Sequence, residues 1–88
     1  MIACRITVLN ELGLHARAAA RFVKVASRFR SRIQVTRGAR TMDGKSILGL
    51  LLLAAARGSV LEVTVDGADE QDALASLCAL AERGFEDA

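Results

Sequence analysis

The feature that most constrains the fold is a succession of short strand-like segments separated by helical ones. Apolar and polar residues alternate over 2–9, and a period of two recurs over 32–37 and 60–65, which is typical of strands buried on one face. A short further strand is predicted over 40–43, after a Gly-Ala turn. The chain has 88 residues and is 52% hydrophobic, which is enough to build the core of one small domain.

Three helices are predicted, over 16–29, 47–56 and 69–83. Ser46 is the expected N-cap of the second helix, and Gly58 is expected to close it. The order β-α-β-β-α-β-α predicts an α+β fold with an antiparallel or mixed sheet. We expect helices to cover one face of that sheet and the other face to be exposed to solvent.

The cysteine content and the length of the longest apolar run argue against a zinc site and against a membrane-spanning helix. Cys4 and Cys78 lie in apolar periodic segments, so we interpret them as reduced core residues, with a disulfide between them as the alternative. One histidine and two distant cysteines cannot form a zinc site, so no metal and no cofactor is predicted. The longest apolar run is too short for a bilayer, which needs about 20 residues. We expect a cytoplasmic protein without membrane insertion, and a monomer.

Charge is distributed unevenly along the chain. Residues 1–60 hold eleven Lys or Arg and two acids, a net of +9, whereas residues 61–88 hold eight acids and one base, a net of −7. A basic surface of this kind steers acidic or phosphorylated partners, although chance segregation of solvated charges is an alternative. Nucleic acid is not an expected partner, because the arginines of 28–40 lack interleaved aromatic residues.

The run Gly13-Leu14-His15-Ala16-Arg17 contains the only histidine of the chain. His15 precedes a predicted helix, where free N–H groups and the positive helix end favour a bound anion. The N–H groups of Ala16 and Arg17 and the Arg17 guanidinium could hold phosphate oxygens. We therefore predict that His15 carries a phosphoryl group. The alternatives are a structural histidine and an ordinary solvated arginine.

The start of the second helix has two candidate roles. Ser46 is expected as an N-cap, and its hydroxyl is also a candidate phosphorylation site beside Lys45. The helix carries more apolar residues than one buried face can hold, which predicts a docking patch. A broad stripe facing the core is the alternative. The residues predicted to form this patch are Ile47, Leu48 and Leu51.

Taken together, these residues resemble the HPr family, the histidine-containing phosphocarriers of the bacterial phosphoenolpyruvate-dependent phosphotransferase system. The resemblance covers essentially the whole chain and is carried by Gly-Leu-His-Ala-Arg and by Lys45-Ser46-Ile47. It implies a single HPr domain over 1–88, an open-faced β-sandwich with a four-stranded antiparallel sheet and three helices on one face. It also implies a phosphoryl carrier without turnover of its own.

The resemblance assigns a role to each candidate residue. His15 would accept phosphate on Nδ1 from enzyme I and pass it to a histidine of an enzyme IIA component, with Arg17 as the active-site arginine. Ser46 would be the regulatory serine that an ATP-dependent HPr kinase/phosphorylase modifies in many bacteria. The second-helix patch would dock on enzyme I and other partners, and Lys24 matches a basic contact position.

The chain departs from the family pattern at one position, where Ala18 replaces the usual proline. Alanine is a strong helix former, so we expect the helix start to survive. Segments 10–13 and 84–87 also resemble the nitrogen-related NPr branch. An alternative hypothesis is therefore a regulatory binding module that acts through Ser46 and the second helix.

Overall fold

The computed structural model describes residues 1–85 and contains one four-stranded antiparallel sheet. Its strands, in the spatial order β1-β4-β2-β3, are β1 (Ile2–Thr7), β2 (Arg32–Arg37), β3 (Arg40–Asp43) and β4 (Val60–Asp66). The helices are α1 (Ala16–Ala26), α2 (Ile47–Leu52) and α3 (Glu70–Glu82). The predicted element order and fold class are thus confirmed, and the sheet is wholly antiparallel. No helix within residues 1–85 combines the length and apolar character that a bilayer span requires.

The sheet presents one face to the helices and the other to water. In β4, Leu61, Val63 and Val65 are at most 1% exposed, whereas Val60 is 52% exposed. Successive side chains of a strand point to opposite faces, so this alternation marks the side that the helices cover. The helices contribute their own buried residues to a single core, among them Phe22, Leu50, Leu77 and Leu80.

Helix α1 ends at Ala26, three residues before the predicted boundary at Phe29. The Arg28 and Phe29 amides donate to the carbonyls three residues earlier, at 3.1 and 3.2 Å. Such bonds tighten the last turn and end the α-helical pattern. Phe29 still packs against the core, which explains why its spacing resembled one more helical position.

Helix α2 is much shorter than predicted and ends at Leu52 rather than near residue 56. Ala54 has a φ of 50°, which breaks the helix. Arginines on either side of the β2–β3 turn cap its end: Arg37 donates to the Leu53 carbonyl at 3.2 Å, and Arg40 donates to the Leu52 carbonyl at 2.9 Å. The prediction that Gly58 closes the helix is wrong, because Gly58 lies in the turn before β4 and donates to the Val8 carbonyl.

The carboxylate of Asp69, just before α3, ties that helix to the start of β2. It accepts the Arg30 amide at 2.9 Å, the Ser31 amide at 3.0 Å and the Ser31 hydroxyl. The Ser31 hydroxyl and the Arg30 amide are the main causes that lower the pKa of Asp69 from 3.8 to about 2. The hydrogen bonds therefore favour the ionised carboxylate in the folded state.

We expect Asp69→Asn to lower the urea midpoint of unfolding above about pH 5, where wild-type Asp69 is ionised in both folded and unfolded states. A lowered folded-state pKa gives stability that is lost as pH falls through about 2. The difference between wild type and variant should therefore shrink between pH 4 and pH 2, as followed by circular dichroism. Asp72→Asn is the matched control, because Asp72 is exposed in the first turn of the same helix. An equal loss of stability in both variants would contradict a stabilising role for the hydrogen bonds of Asp69.

Candidate functional site

The loop between β1 and α1 is fastened to the segment that follows α2. The Leu14 amide donates to the Ala55 carbonyl at 2.8 Å, and the Asn10 side-chain amide donates to the Gly13 carbonyl. Gly13 has a φ of 70°, and a Cβ there would lie 2.5 Å from the Ala55 oxygen. Only glycine fits this close approach, which fixes where the next residues of the loop lie.

His15 is the N-cap of α1. Its backbone is extended, its carbonyl accepts the Ala19 amide at 2.9 Å, and its Nδ1 accepts the Arg17 amide at 3.2 Å. A ring nitrogen that accepts a hydrogen bond carries no proton, so the neutral ring in this arrangement holds its proton on Nε2. The half-buried ring therefore directs the lone pair of Nδ1 at the positive end of the helix, where it accepts the Arg17 amide.

A shallow cavity of about 280 Å³ lies beside His15. Two arginines of α1, one turn apart, contribute to its wall: Arg17 is exposed, and Arg21 donates to the Phe85 carbonyl at 3.1 Å. The cavity is lined by Asn10, Glu11, Leu12, His15, Arg17, Ala18, Arg21, Gly84 and Phe85. An unprotonated imidazole nitrogen, helix N–H groups and guanidinium groups together can accept and hold a phosphoryl group.

Ser46 is the N-cap of α2, as predicted. Its hydroxyl accepts the Gly49 amide at 3.0 Å, and the residue is half-buried. The neighbouring Lys45 ammonium donates to the Phe29 carbonyl at 2.7 Å, beyond the end of α1. Ser46 does not line the cavity beside His15, so the structure keeps the two predicted modification sites apart.

Helix α2 has one buried side and one exposed apolar side. Gly49 and Leu50 are buried, whereas Ile47 is 42% and Leu48 is 67% exposed. Leu51 is half-buried, so it contributes less free surface than the sequence pattern predicted. We define Ile47, Leu48 and Leu51 as the α2 patch. Lys24 is exposed in the last turn of α1.

Sequence reasoning missed several residues around His15. Arg21 could have been found, because residues four apart on a helix share a face, which places it beside Arg17. Leu12, which is 79% exposed, lines the cavity, and Leu52 is a further exposed apolar residue of α2 at 50%. Gly84 and Phe85 reach the cavity only through the packing of α3, which no local pattern reveals.

The family model described as "PTS HPr component phosphorylation site" matches residues 2–83. This chain belongs to the HPr family. It is 48% identical over 77 residues to the phosphocarrier protein HPr of Neisseria meningitidis serogroup A, with 88% of this chain and 86% of that relative covered. The chain is accordingly an HPr phosphocarrier protein of the phosphotransferase system and not an enzyme with turnover of its own.

Solved structures agree with this assignment. The crystal structure of HPr-C-His from Thermoanaerobacter tengcongensis matches with a TM-score of 0.94 at 38% identity, covering 100% of this chain and 99% of that one. A crystal structure of an HPr dimer from the same organism matches with a TM-score of 0.79 at 38% identity, covering 99% and 100%. The family fold therefore extends over the β-sheet, the three helices and the loop that carries His15.

We expect Gly13→Ala to destabilise the fold by about 2–4 kcal/mol, because left-handed backbone strain and a clash with Ala55 add together. Gly38→Ala is the matched control: Gly38 has a φ of 59° but open space around it, so about 1 kcal/mol is expected. Urea unfolding measures both losses, and NMR shifts of the His15 ring report its displacement. Equal losses with unmoved His15 signals would show that Gly13 does not position the site.

Proposed function

We propose that His15 is the residue on which this carrier is phosphorylated and that Nδ1 is the acceptor atom. The observation that carries the proposal is the hydrogen bond from the Arg17 amide to Nδ1, which leaves Nδ1 unprotonated at the positive end of α1. The proposed donor is a phosphohistidine of enzyme I, itself loaded from phosphoenolpyruvate, and membership in the HPr family supports this choice. A histidine of an enzyme IIA component is the proposed recipient.

The transfer exchanges one nitrogen–phosphorus bond for another. The lone pair of Nδ1 attacks phosphorus, and the bond to the donor nitrogen breaks as its electron pair returns to the donor ring. The Arg17 amide loses its partner Nδ1 and becomes free to donate to a phosphoryl oxygen, together with the Ala16 amide. The Arg17 guanidinium supplies positive charge from its exposed position beside the cavity.

Partner binding is proposed at the α2 patch and at Lys24. Exposed apolar side chains on a short helix provide a desolvated contact, and a basic side chain on α1 suits an acidic partner surface. We propose that enzyme I and enzyme IIA components share this surface. A single HPr domain that acts as a monomer in the cytoplasm fits transfer by successive docking, although one related HPr forms a dimer.

Ser46 is proposed as a regulatory phosphorylation site for an HPr kinase/phosphorylase. Its hydroxyl already lies at the positive end of α2, where a phosphate is electrostatically tolerated. The added charge would lie next to Ile47 and Leu48, which are exposed members of the α2 patch. Phosphorylation there would therefore act on partner docking more than on the His15 chemistry.

A regulatory binding module is the second candidate function. It is favoured by the same adjacency of Ser46 to exposed apolar residues, which could serve a partner that senses the serine phosphate without receiving phosphate from His15. Incubation with enzyme I and phosphoenolpyruvate tests the carrier role, whereas incubation with HPr kinase and ATP tests the regulatory one. The two functions can operate in one protein.

His15→Ala should abolish the acid-labile phosphorylation by enzyme I and phosphoenolpyruvate. Intact mass and phosphorus NMR detect the phosphohistidine, and rates should fall to background because no other histidine is present. Circular dichroism checks that the variant folds, with a loss of about 1 kcal/mol expected from the missing N-cap hydrogen bond. Transfer that persists in the folded variant would refute the assignment of His15.

Ser46→Asp should slow phosphoryl acceptance from enzyme I by about two- to tenfold, because one added charge near the docking surface costs about 0.5–1.5 kcal/mol. Ser46→Asn is the matched control, since asparagine is an equally good N-cap without the charge. The ratio of the Asp variant's initial rate to that of the wild type should change between low and high salt, and the same ratio for the Asn variant should not. A rate equal to that of the Asn variant would refute the proposed coupling.

A further inference from the structure

The two cysteines of the chain lie side by side at the margin of the core, although 74 positions separate them. Cys4 lies on β1 and Cys78 on α3, which packs over β1 and β4. Both residues are half-buried, both are free thiols, and their sulfur atoms are 2.7 Å apart. A covalent bond needs a separation of about 2.05 Å, so the sulfurs have to close by only about 0.7 Å.

We propose that Cys4 and Cys78 form a reversible intramolecular disulfide when the folded protein meets a peroxide. The proximity of the two sulfurs in the packed β1–α3 contact carries this inference. It is independent of the phosphocarrier chemistry, because neither cysteine lines the cavity beside His15. It takes up the disulfide that the sequence left open as the alternative to two reduced core cysteines.

The oxidation balances with hydrogen peroxide as the co-reactant. One cysteine sulfur takes an oxygen atom from peroxide and becomes a sulfenic acid, and one water leaves. The second thiol attacks that sulfur, the S–S bond forms, and a second water leaves. Two thiols and one peroxide thus give one disulfide and two waters. A reducing thiol reverses the bond by exchange.

The environment of the pair sets the conditions for this reaction. Burial, together with the neighbouring Cys78, raises the pKa of Cys4 to about 12. Cys4 is therefore a protonated thiol at neutral pH, and the thiolate is the form that reacts. The pair resists mild oxidation and remains reduced in a reducing compartment. The pair forms the disulfide when hydrogen peroxide is in excess.

The bond would join the first strand of the chain to its last helix. It closes a loop of about 75 residues and so restricts the unfolded chain strongly. For a domain of this size, we expect the oxidised protein to melt about 10 °C or more above the reduced one. The bond would also keep β1, an edge strand of the sheet, attached to α3 of the same molecule.

The test treats the folded wild-type chain with excess hydrogen peroxide, then denatures it, alkylates it with iodoacetamide and records intact mass. We expect a monomer that has lost two hydrogens and takes up no alkyl group, and that accepts two alkyl groups after treatment with dithiothreitol. Cys4→Ser and Cys78→Ser are the matched controls, and neither should show this product. Two results would overturn the proposal. One is a wild type that carries sulfinic or sulfonic acids in place of the disulfide. The other is a wild type that forms intermolecular disulfide dimers in the same yield as the single variants.

Thermal unfolding provides a second measurement on the same samples. Peroxide should raise the melting temperature of the wild type, and dithiothreitol should restore it. A double variant, Cys4→Ser with Cys78→Ser, should not respond to either reagent. A disulfide that forms but leaves the melting temperature unchanged would contradict closure of the native β1–α3 contact.

Discussion

Burial of one face of the sheet against three helices is the constraint that organises this molecule. The inward residues of β4, Leu61, Val63 and Val65, share one continuous core with side chains from every helix. A strand has a period of two, so a slip of one residue would move these side chains to the solvent face. The same core holds α1 against α2 and α3, and the start of α1 carries the candidate site.

Much of the fold was predictable from the sequence, because strands and amphipathic helices produce periodic patterns. The bounds of β2 and β3 were right, and α3 was right within one residue at each end. The length of α2 was not predictable, because its end depends on Arg37 and Arg40, which reach its carbonyls from a different element. Local pattern predicts which residues are apolar, and tertiary contacts decide where a helix stops.

The site shows the same division between local and distant determinants. His15, Ala16 and Arg17 are neighbours in sequence and lie together at the start of α1, so their association needed no tertiary information. The Ala55 contact that holds the loop, the Phe85 carbonyl that holds Arg21, and the meeting of Cys4 with Cys78 each join distant parts of the chain. Sequence patterns carry no signal for the first two of these contacts, and they offered the cysteine pair only as an alternative.

The strand order has a consequence for synthesis. In the sheet that residues 1–85 form, β1 lies at the edge and takes its backbone partner from β4, so Thr7 pairs with Val60 and Ile2 with Val65. A ribosome that adds roughly 5–20 residues per second needs about 3–12 s between completing β1 and completing β4. The nascent chain therefore emerges with its first strand unpaired, and folding of the sheet waits for the second half of translation.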